Sequence, residues 1–280
     1  MPKIVCNGLD HYYEQTSGGP ALVFIHGAFG DASLWDPQWE HFSPKYSALR
    51  YDLRGHGRTG ASALGRYSMA TYADDLACLM DVLKIDAAVV CGLSWGGAIA
   101  QAFAVRYPER LHGLVLAGAT AAMSISPGEK LLRYVFFPRP AMLLTIRWLG
   151  VERFVDFSLW LAGLTLGRHW LNRDERTLEV IRKCMLQIER SEYLKIWDAI
   201  YGFDLQPLET IACPTLVLTG ERDTRMVLRH ASVILQRVPG AKGRSLPAAY
   251  HAMTLEQPQA FNGALEAFLS SLRLTQSSSP

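Results

Sequence analysis

The chain has 280 residues, of which 49% are hydrophobic, and its charged side chains nearly balance at a net charge of +2. A chain of this size can bury a large core, either as one α/β domain or as a domain with an insertion. The near-neutral charge gives no reason to expect a nucleic-acid partner.

Short apolar runs along the chain predict the strands of a mostly parallel sheet. The runs are continuous rather than alternating, as expected for strands that helices cover on both faces. In chain order they occupy residues 21–25, 47–51, 87–91, 113–117 and 215–219, and a last strand is predicted at 243–246.

Helical patterns separate these strands. Residues 69–83 place an apolar stripe on one helix face, and 96–107 predicts a helix that stops before Pro108. Later helices are predicted at 226–238 and 256–272. This alternation of strands and helices predicts a doubly wound α/β sheet.

One region departs from the alternation. From about residue 120 to 204 no strand pattern is visible, and the stretch carries four of the seven tryptophans and breaks at Pro138 and Pro140. We interpret residues 120–205 as a helical cap inserted into an α/β core formed by 1–119 and 206–280. The most apolar part of this region, 154–166, is interrupted by Asp156 and is too short to span a bilayer.

The stretch G-L-S-W-G, residues 92–96, joins a predicted strand to a predicted helix. It matches the G-x-S-x-G nucleophile elbow, in which a tight turn raises the serine hydroxyl above the sheet edge and glycines avoid clashes. Ser94 also lies at a helix N-terminus, where the helix dipole favours developing negative charge. Ser94 is therefore the candidate nucleophile.

A serine nucleophile needs a general base, and the base needs an orienting acid. Of the eight histidines, His251 is the one that lies between the last predicted strand and the last predicted helix. Asp223 follows the strand P-T-L-V-L-T-G, where open α/β sheets place their sites, and we prefer it to the neighbouring Glu221. The chain order Ser94, Asp223, His251 is that of a Ser-Asp-His hydrolase triad.

An oxyanion hole needs two backbone N–H groups aimed at the tetrahedral intermediate. Trp95, directly after the candidate nucleophile, is predicted to give one. The loop H-G-A-F-G after the first parallel strand is predicted to give the other, with Ala28 as our choice and Phe29 as the alternative.

The sequence resembles the α/β-hydrolase superfamily over nearly its whole length. The motifs F-I-H-G-A-F-G-D, Y-D-L-R-G-H-G-R-T-G, G-L-S-W-G-G-A-I-A-Q and P-T-L-V-L-T-G-E-R-D, with the late histidine, occur in the order of that family. The resemblance is closest to capped serine esterases, enol-lactonases and carbon–carbon bond hydrolases. Epoxide hydrolases and haloalkane dehalogenases of this fold carry aspartate in place of Ser94, so these two classes are disfavoured. Prolyl aminopeptidases usually carry H-G-G-P-G in the first loop, whereas this chain has H-G-A-F-G, which disfavours that class as well.

The resemblance implies acyl transfer to water on a carboxylic ester or lactone, with no metal or organic cofactor. Carbon–carbon bond cleavage, thioesterase or acyltransferase chemistry on the same triad, and a non-catalytic receptor-like binding role are the alternatives. The aromatic cap suits an apolar substrate, with a pocket predicted at Phe29, Phe137, Trp148 and Trp160. The motif G-H-G-R-T-G is followed by a loop rather than a helix, so we interpret it as structural rather than as a dinucleotide site.

Cysteine usage and the chain start bear on location and partners. The five cysteines are scattered, and residues 1–10 lack the apolar stretch of a signal peptide. We therefore expect reduced thiols and a cytoplasmic protein without a stable membrane anchor. The expected partner is a small-molecule substrate, and the chain is expected to be a monomer or a homodimer.

Overall fold

The computed structural model describes residues 2–136, 139–166 and 175–272. Eight strands form one sheet in the order β1-β2-β4-β3-β5-β6-β7-β8, and all pairings from β4 to β8 are parallel. The strands are β1 (Lys3–Cys6), β2 (Leu9–Gln15), β3 (Ala21–Ile25), β4 (Ser47–Tyr51), β5 (Ala88–Leu93), β6 (Leu111–Ala117), β7 (Thr215–Gly220) and β8 (Lys242–Leu246).

Ten helices flank or extend the sheet in the described residues. They are α1 (Asp36–Phe42), α2 (Met69–Val82), α3 (Trp95–Arg106), α4 (Pro127–Phe136), α5 (Arg139–Leu166), α6 (Glu175–Leu186), α7 (Arg190–Tyr201), α8 (Arg225–Arg237), α9 (Met253–Glu256) and α10 (Pro258–Ser271). The predicted fold class, a mostly parallel doubly wound α/β-hydrolase sheet with inserted helices, is confirmed.

The strands β3 to β7 are buried on both faces of the sheet. One face packs against α2, α3 and α8, and its core includes Tyr72, Leu76 and Phe103. The other face packs against α1 and α10, where Trp35 and Phe261 meet edge to face with ring centroids 5.7 Å apart. The central strand β5 is buried along its whole length, which is why its sequence is a continuous apolar run rather than an alternating one.

The insertion between β6 and β7 contains helices and loops but no strand in its described part. Helices α4 to α7 fall within it, and α5 bends at Gly150, which has a φ of +76°. No helix in the described ranges is long and apolar enough to cross a membrane. The cap bounds 120–205 stay a prediction.

Candidate active site

Ser94 lies at a strained junction between β5 and α3. Its φ of 52° and ψ of −114° lie in a region that side-chain-bearing residues rarely adopt. The Ser94 N–H donates to the carbonyl of Ala117 at the end of β6, with an N···O distance of 2.7 Å. This bond fixes the turn against the neighbouring strand, so the serine side chain is held at the carboxyl edge of the sheet.

Two glycines allow the turn to be this tight. A Cβ on Gly92 would lie 2.3 Å from the carbonyl oxygen of Gly96, and a Cβ on Gly96 would lie 2.2 Å from the carbonyl oxygen of Ile25. Both distances are far inside van der Waals contact with backbone atoms that cannot move aside. The glycines therefore let α3 pack directly on β3 and β5.

The structure brings Ser94, His251 and Asp223 together from three separate loops. The Oγ of Ser94 lies 2.9 Å from Nε2 of His251, and Nδ1 of His251 lies 3.1 Å from Oδ2 and 3.3 Å from Oδ1 of Asp223. The Asp223 side chain is fully buried, and its Oδ1 also accepts the N–H of Thr224 at 2.7 Å. The arrangement can deprotonate the serine hydroxyl and stabilise the resulting imidazolium.

Glu221, the neighbouring carboxylate, points elsewhere. Its exposed side chain accepts the N–H of Ala248 at 2.8 Å, which closes the loop after β8. The loop after β6 begins with Gly118, and a Cβ at this residue would lie 3.2 Å from the ring of His251. That loop therefore provides space for the imidazole rather than a carboxylate.

The loop after β3 forms a tight turn next to Ser94. Gly30 N–H donates to the Gly27 carbonyl at 3.2 Å, which makes Ala28 and Phe29 the central residues of a β-turn. A Cβ on Gly27 would lie 3.6 Å from Cβ of Ser94, so the turn and the nucleophile are adjacent. Phe29 N–H donates to Nε2 of His56 at 3.2 Å and is therefore already engaged.

The Ala28 N–H has no acceptor within the part of the chain that the structure describes. Trp95 is the first residue of α3, so its N–H also has no partner within the helix. Of the two residues predicted for the loop donor, Ala28 is the one whose N–H remains available. The structure therefore brings the predicted nucleophile, base and acid and the two predicted N–H donors to the same edge of the sheet.

Comparison with known proteins identifies the fold family. The family model of the alpha/beta hydrolase fold matches residues 20–258, which is most of the chain. The chain belongs to the α/β-hydrolase fold family.

Similar proteins narrow the class of activity. The chain is 28% identical over 255 residues to the 3-oxoadipate enol-lactonase 2 of Acinetobacter baylyi, covering 89% of this chain and 88% of that protein. It is 26% identical to a carboxylesterase of Bacillus subtilis, covering 89% of this chain and 80% of that protein. The crystal structure of the enol-lactonase from Burkholderia xenovorans matches with a TM-score of 0.82 and 29% identity, covering 96% of this chain and all of that chain. These relatives support a hydrolase of this fold.

The pKa of His251 is shifted by its surroundings in the site. Burial alone would lower the pKa of His251, but the charge and hydrogen bond of Asp223, with a smaller contribution from Glu256, raise it above its ordinary value. Glu256 also accepts the N–H of Tyr250 at 2.9 Å and so supports the loop that carries His251. Glu256 could not be identified from the sequence, because its place in the predicted last helix does not show that its carboxylate lies near His251.

Two further histidines fix the loops of the hydrolase around Ser94. His26 donates from Nδ1 to the Gly27 carbonyl at 2.8 Å and accepts the Leu53 N–H at Nε2 at 2.9 Å. His56 contacts the Arg54 carbonyl through Nδ1 at 2.9 Å and accepts the Phe29 N–H through Nε2. Each ring bridges two loops only as a neutral imidazole with its proton on Nδ1.

Burial lowers the pKa of both rings, in the case of His56 to about 3 with a further contribution from neighbouring His26. Both therefore stay neutral at ordinary pH. No sequence motif indicates that His56 holds the turn beside Ser94, because its partner Phe29 lies 27 residues away in the chain.

The predicted pocket residues have different surroundings in the structure. Phe29 is partly buried and its ring stacks on Tyr193 of α7, with centroids 5.4 Å apart and planes inclined by 21°. Trp148 and Trp160 are 79% and 61% exposed. Their contribution to a substrate pocket stays a prediction, because helical periodicity shows which residues share a face but not whether that face is covered. Phe137 lies outside the described residues.

Proposed function

We propose that the protein is a serine hydrolase that cleaves a carboxylic ester or lactone of a small to medium apolar substrate through an acyl-enzyme. The observation that carries this proposal is the contact chain from Ser94 Oγ through His251 to buried Asp223, set on a strained elbow. The similarity to an enol-lactonase and to a carboxylesterase supports the ester or lactone class.

In the first half-reaction His251 Nε2 takes the proton of Ser94 as Oγ attacks the substrate carbonyl carbon. The Asp223 carboxylate holds the Nδ1 proton of His251 and stabilises the imidazolium. The negative charge that develops on the carbonyl oxygen is accommodated by the N–H groups of Ala28 and Trp95. Collapse of the tetrahedral intermediate breaks the bond to the alcohol oxygen, which receives its proton from His251.

The second half-reaction frees the enzyme. His251 takes a proton from water, the resulting hydroxide attacks the acyl carbon, and the Ser94 oxygen leaves with the proton returned by His251. In a lactone substrate, the alcohol released in the first half-reaction remains attached to the acyl group and departs with it.

An apolar substrate is supported by partly buried hydrophobic side chains in the loops after β3 and β6 and in helices α5, α6 and α7. These side chains pack against the main core. They are Ala28, Phe29, Met123, Ile125, Val151, Leu159, Ile181 and Trp197. A mainly apolar wall with a few polar groups at the reacting carbonyl is typical of a small-molecule site.

The test is hydrolysis of p-nitrophenyl esters from acetyl to dodecanoyl and of simple lactones by the wild type and by Ser94→Ala. Ser94→Ala should lower kcat by about 10⁴-fold or more. Ser232→Ala is the matched control, because the hydroxyl of Ser232 lies on α8 and donates only to the Leu228 carbonyl. A wild type inactive on every ester and lactone, or an active Ser94→Ala variant, would refute the proposal.

A further inference from the structure

The conformation of Phe29 is unexpected for its side chain. It occupies the third position of the turn from Gly27 to Gly30 with a φ of 58°. A β-turn with a positive φ at this position strongly favours glycine or asparagine. A phenylalanine there costs about 1 kcal/mol or more relative to glycine, so the surrounding structure must supply a compensating interaction.

The compensating contacts come from both sides of the residue. On the core side, the Phe29 N–H donates to His56, whose ring is fully buried and oriented by the Arg54 carbonyl. On the cap side, the Phe29 ring stacks on Tyr193 and meets Trp197 with centroids 5.2 Å apart and planes inclined by 47°.

Tyr193 is itself fixed in the cap. Its hydroxyl donates to the Met185 carbonyl at 2.6 Å, and its ring meets Phe154 edge to face with centroids 5.3 Å apart. The Phe29 ring therefore packs against a rigid surface of α7. Ala28 precedes Phe29 in the same four-residue turn, so a change in the backbone conformation of Phe29 alters the turn that carries the Ala28 N–H.

We propose that Phe29 is a positioning residue, whose ring is clamped by α7 of the cap and thereby aims the Ala28 N–H at the oxyanion of the reaction. The inference rests on the proposed function, since it assigns Ala28 the role of an oxyanion donor. In this proposal the cap helps to position the Ala28 N–H as well as to line the substrate site.

Phe29→Gly is the diagnostic variant. Glycine relieves the backbone strain and keeps the N–H for His56, but it removes the ring and hence the clamp. A misaimed donor weakens binding of the transition state more than that of the substrate, so kcat should fall by about 10- to 100-fold with KM nearly unchanged. Affinity for a trifluoromethyl ketone, which forms a tetrahedral oxyanion on Ser94, should fall by the same factor. Phe29→Tyr, which keeps an aromatic ring, should have a kcat close to that of the wild type.

Three outcomes would overturn the inference in an enzyme that hydrolyses esters. They are an unchanged kcat in Phe29→Gly, a rise in KM alone, or unchanged affinity for the ketone. Failure of the proposed function is separate, since it would appear as a wild type without turnover.

Amide hydrogen exchange of residues 27–30 tests whether the contact of the Phe29 ring with α7 holds the turn, even if the wild type shows no turnover. Exchange in this segment should be faster by about tenfold or more in Phe29→Gly than in the wild type. Equal exchange rates in the two proteins would refute the clamp.

Discussion

Acidification should destabilise the fold through His56, whose pKa is lowered to about 3 by burial. In the unfolded chain this imidazole has its ordinary pKa of about 6.5. Between these two values the unfolded state binds a proton that the folded state does not. The contribution of His56 to stability is therefore complete above pH 6.5 and is lost as the pH falls below that value.

The size of the effect follows from the two pKa values. At pH 5, protonation of the His56 imidazole stabilises the unfolded state by about 2 kcal/mol, while the folded ring stays neutral. His56 is fully buried, so no solvent screening reduces this figure. A loss of this size is a large fraction of the stability of a typical domain, which is only about 5–15 kcal/mol.

Urea unfolding at pH 7.5 and at pH 5, followed by circular dichroism, measures the loss of unfolding free energy between the two pH values. His56→Gln is the informative variant, because a glutamine amide can donate to the Arg54 carbonyl and accept from the Phe29 N–H without titrating. Its loss of unfolding free energy between the two pH values should be smaller than that of the wild type by about 2 kcal/mol. His112→Gln, which removes an exposed imidazole on β6, should behave as the wild type. If His56→Gln and the wild type lose the same free energy, His56 is not held neutral and the account of the turn fails.

Three further results are expected. Asp223→Asn should lower kcat on esters by about 10⁴-fold, because the amide no longer holds His251 in the required tautomer; steady-state kinetics would show it. Glu256→Gln should move the acidic limb of the kcat/KM profile to lower pH, since loss of a nearby negative charge lowers the pKa of His251. Gly92→Ala should fail to fold or should melt far lower, because its Cβ would meet Gly96 at 2.3 Å, whereas Gly263→Ala in α10 has open space and should be tolerated.

The parallel strands β3 to β7 could be predicted because burial on both faces leaves a continuous apolar run. The predictions for β3 and β4 have the observed bounds, and those for β5 to β8 differ by one or two residues at one or both ends. The edge strand β8 is mostly exposed, and its sequence K-G-R-S-L is not such a run. The N-terminal hairpin of β1 and β2 was missed, because its sequence L-D-H-Y-Y-E-Q is half polar and lies at the sheet edge. The short helix α1 was missed for a similar reason, since most of its seven residues face solvent or neighbouring loops.

The site residues could be predicted to the extent that local motifs specify them. Ser94 and Asp223 follow apolar strands directly, so the sequence places them at the sheet edge. The choice between Ala28 and Phe29 depends on a turn conformation and on His56, which is 27 residues away in the chain from Phe29. No local pattern contains that information. The positions of Trp148 and Trp160 depend on how α5 bends at Gly150 and packs, which sequence periodicity does not specify.

Helix α7, which contacts Phe29 in the turn from Gly27 to Gly30, is also attached to the core by polar contacts. Glu192, at the start of α7, is fully buried, accepts the hydroxyl of Tyr67 and pairs with Lys195 at 2.8 Å. Lys195 in turn donates to the carbonyl of Ser62 at 2.7 Å.

Lifting α7 would separate Glu192 from Tyr67 and Lys195 from the carbonyl of Ser62. The aromatic contacts of Phe29 with this helix would be lost at the same time. A displacement of α7 should therefore also disturb the turn from Gly27 to Gly30 beside Ser94.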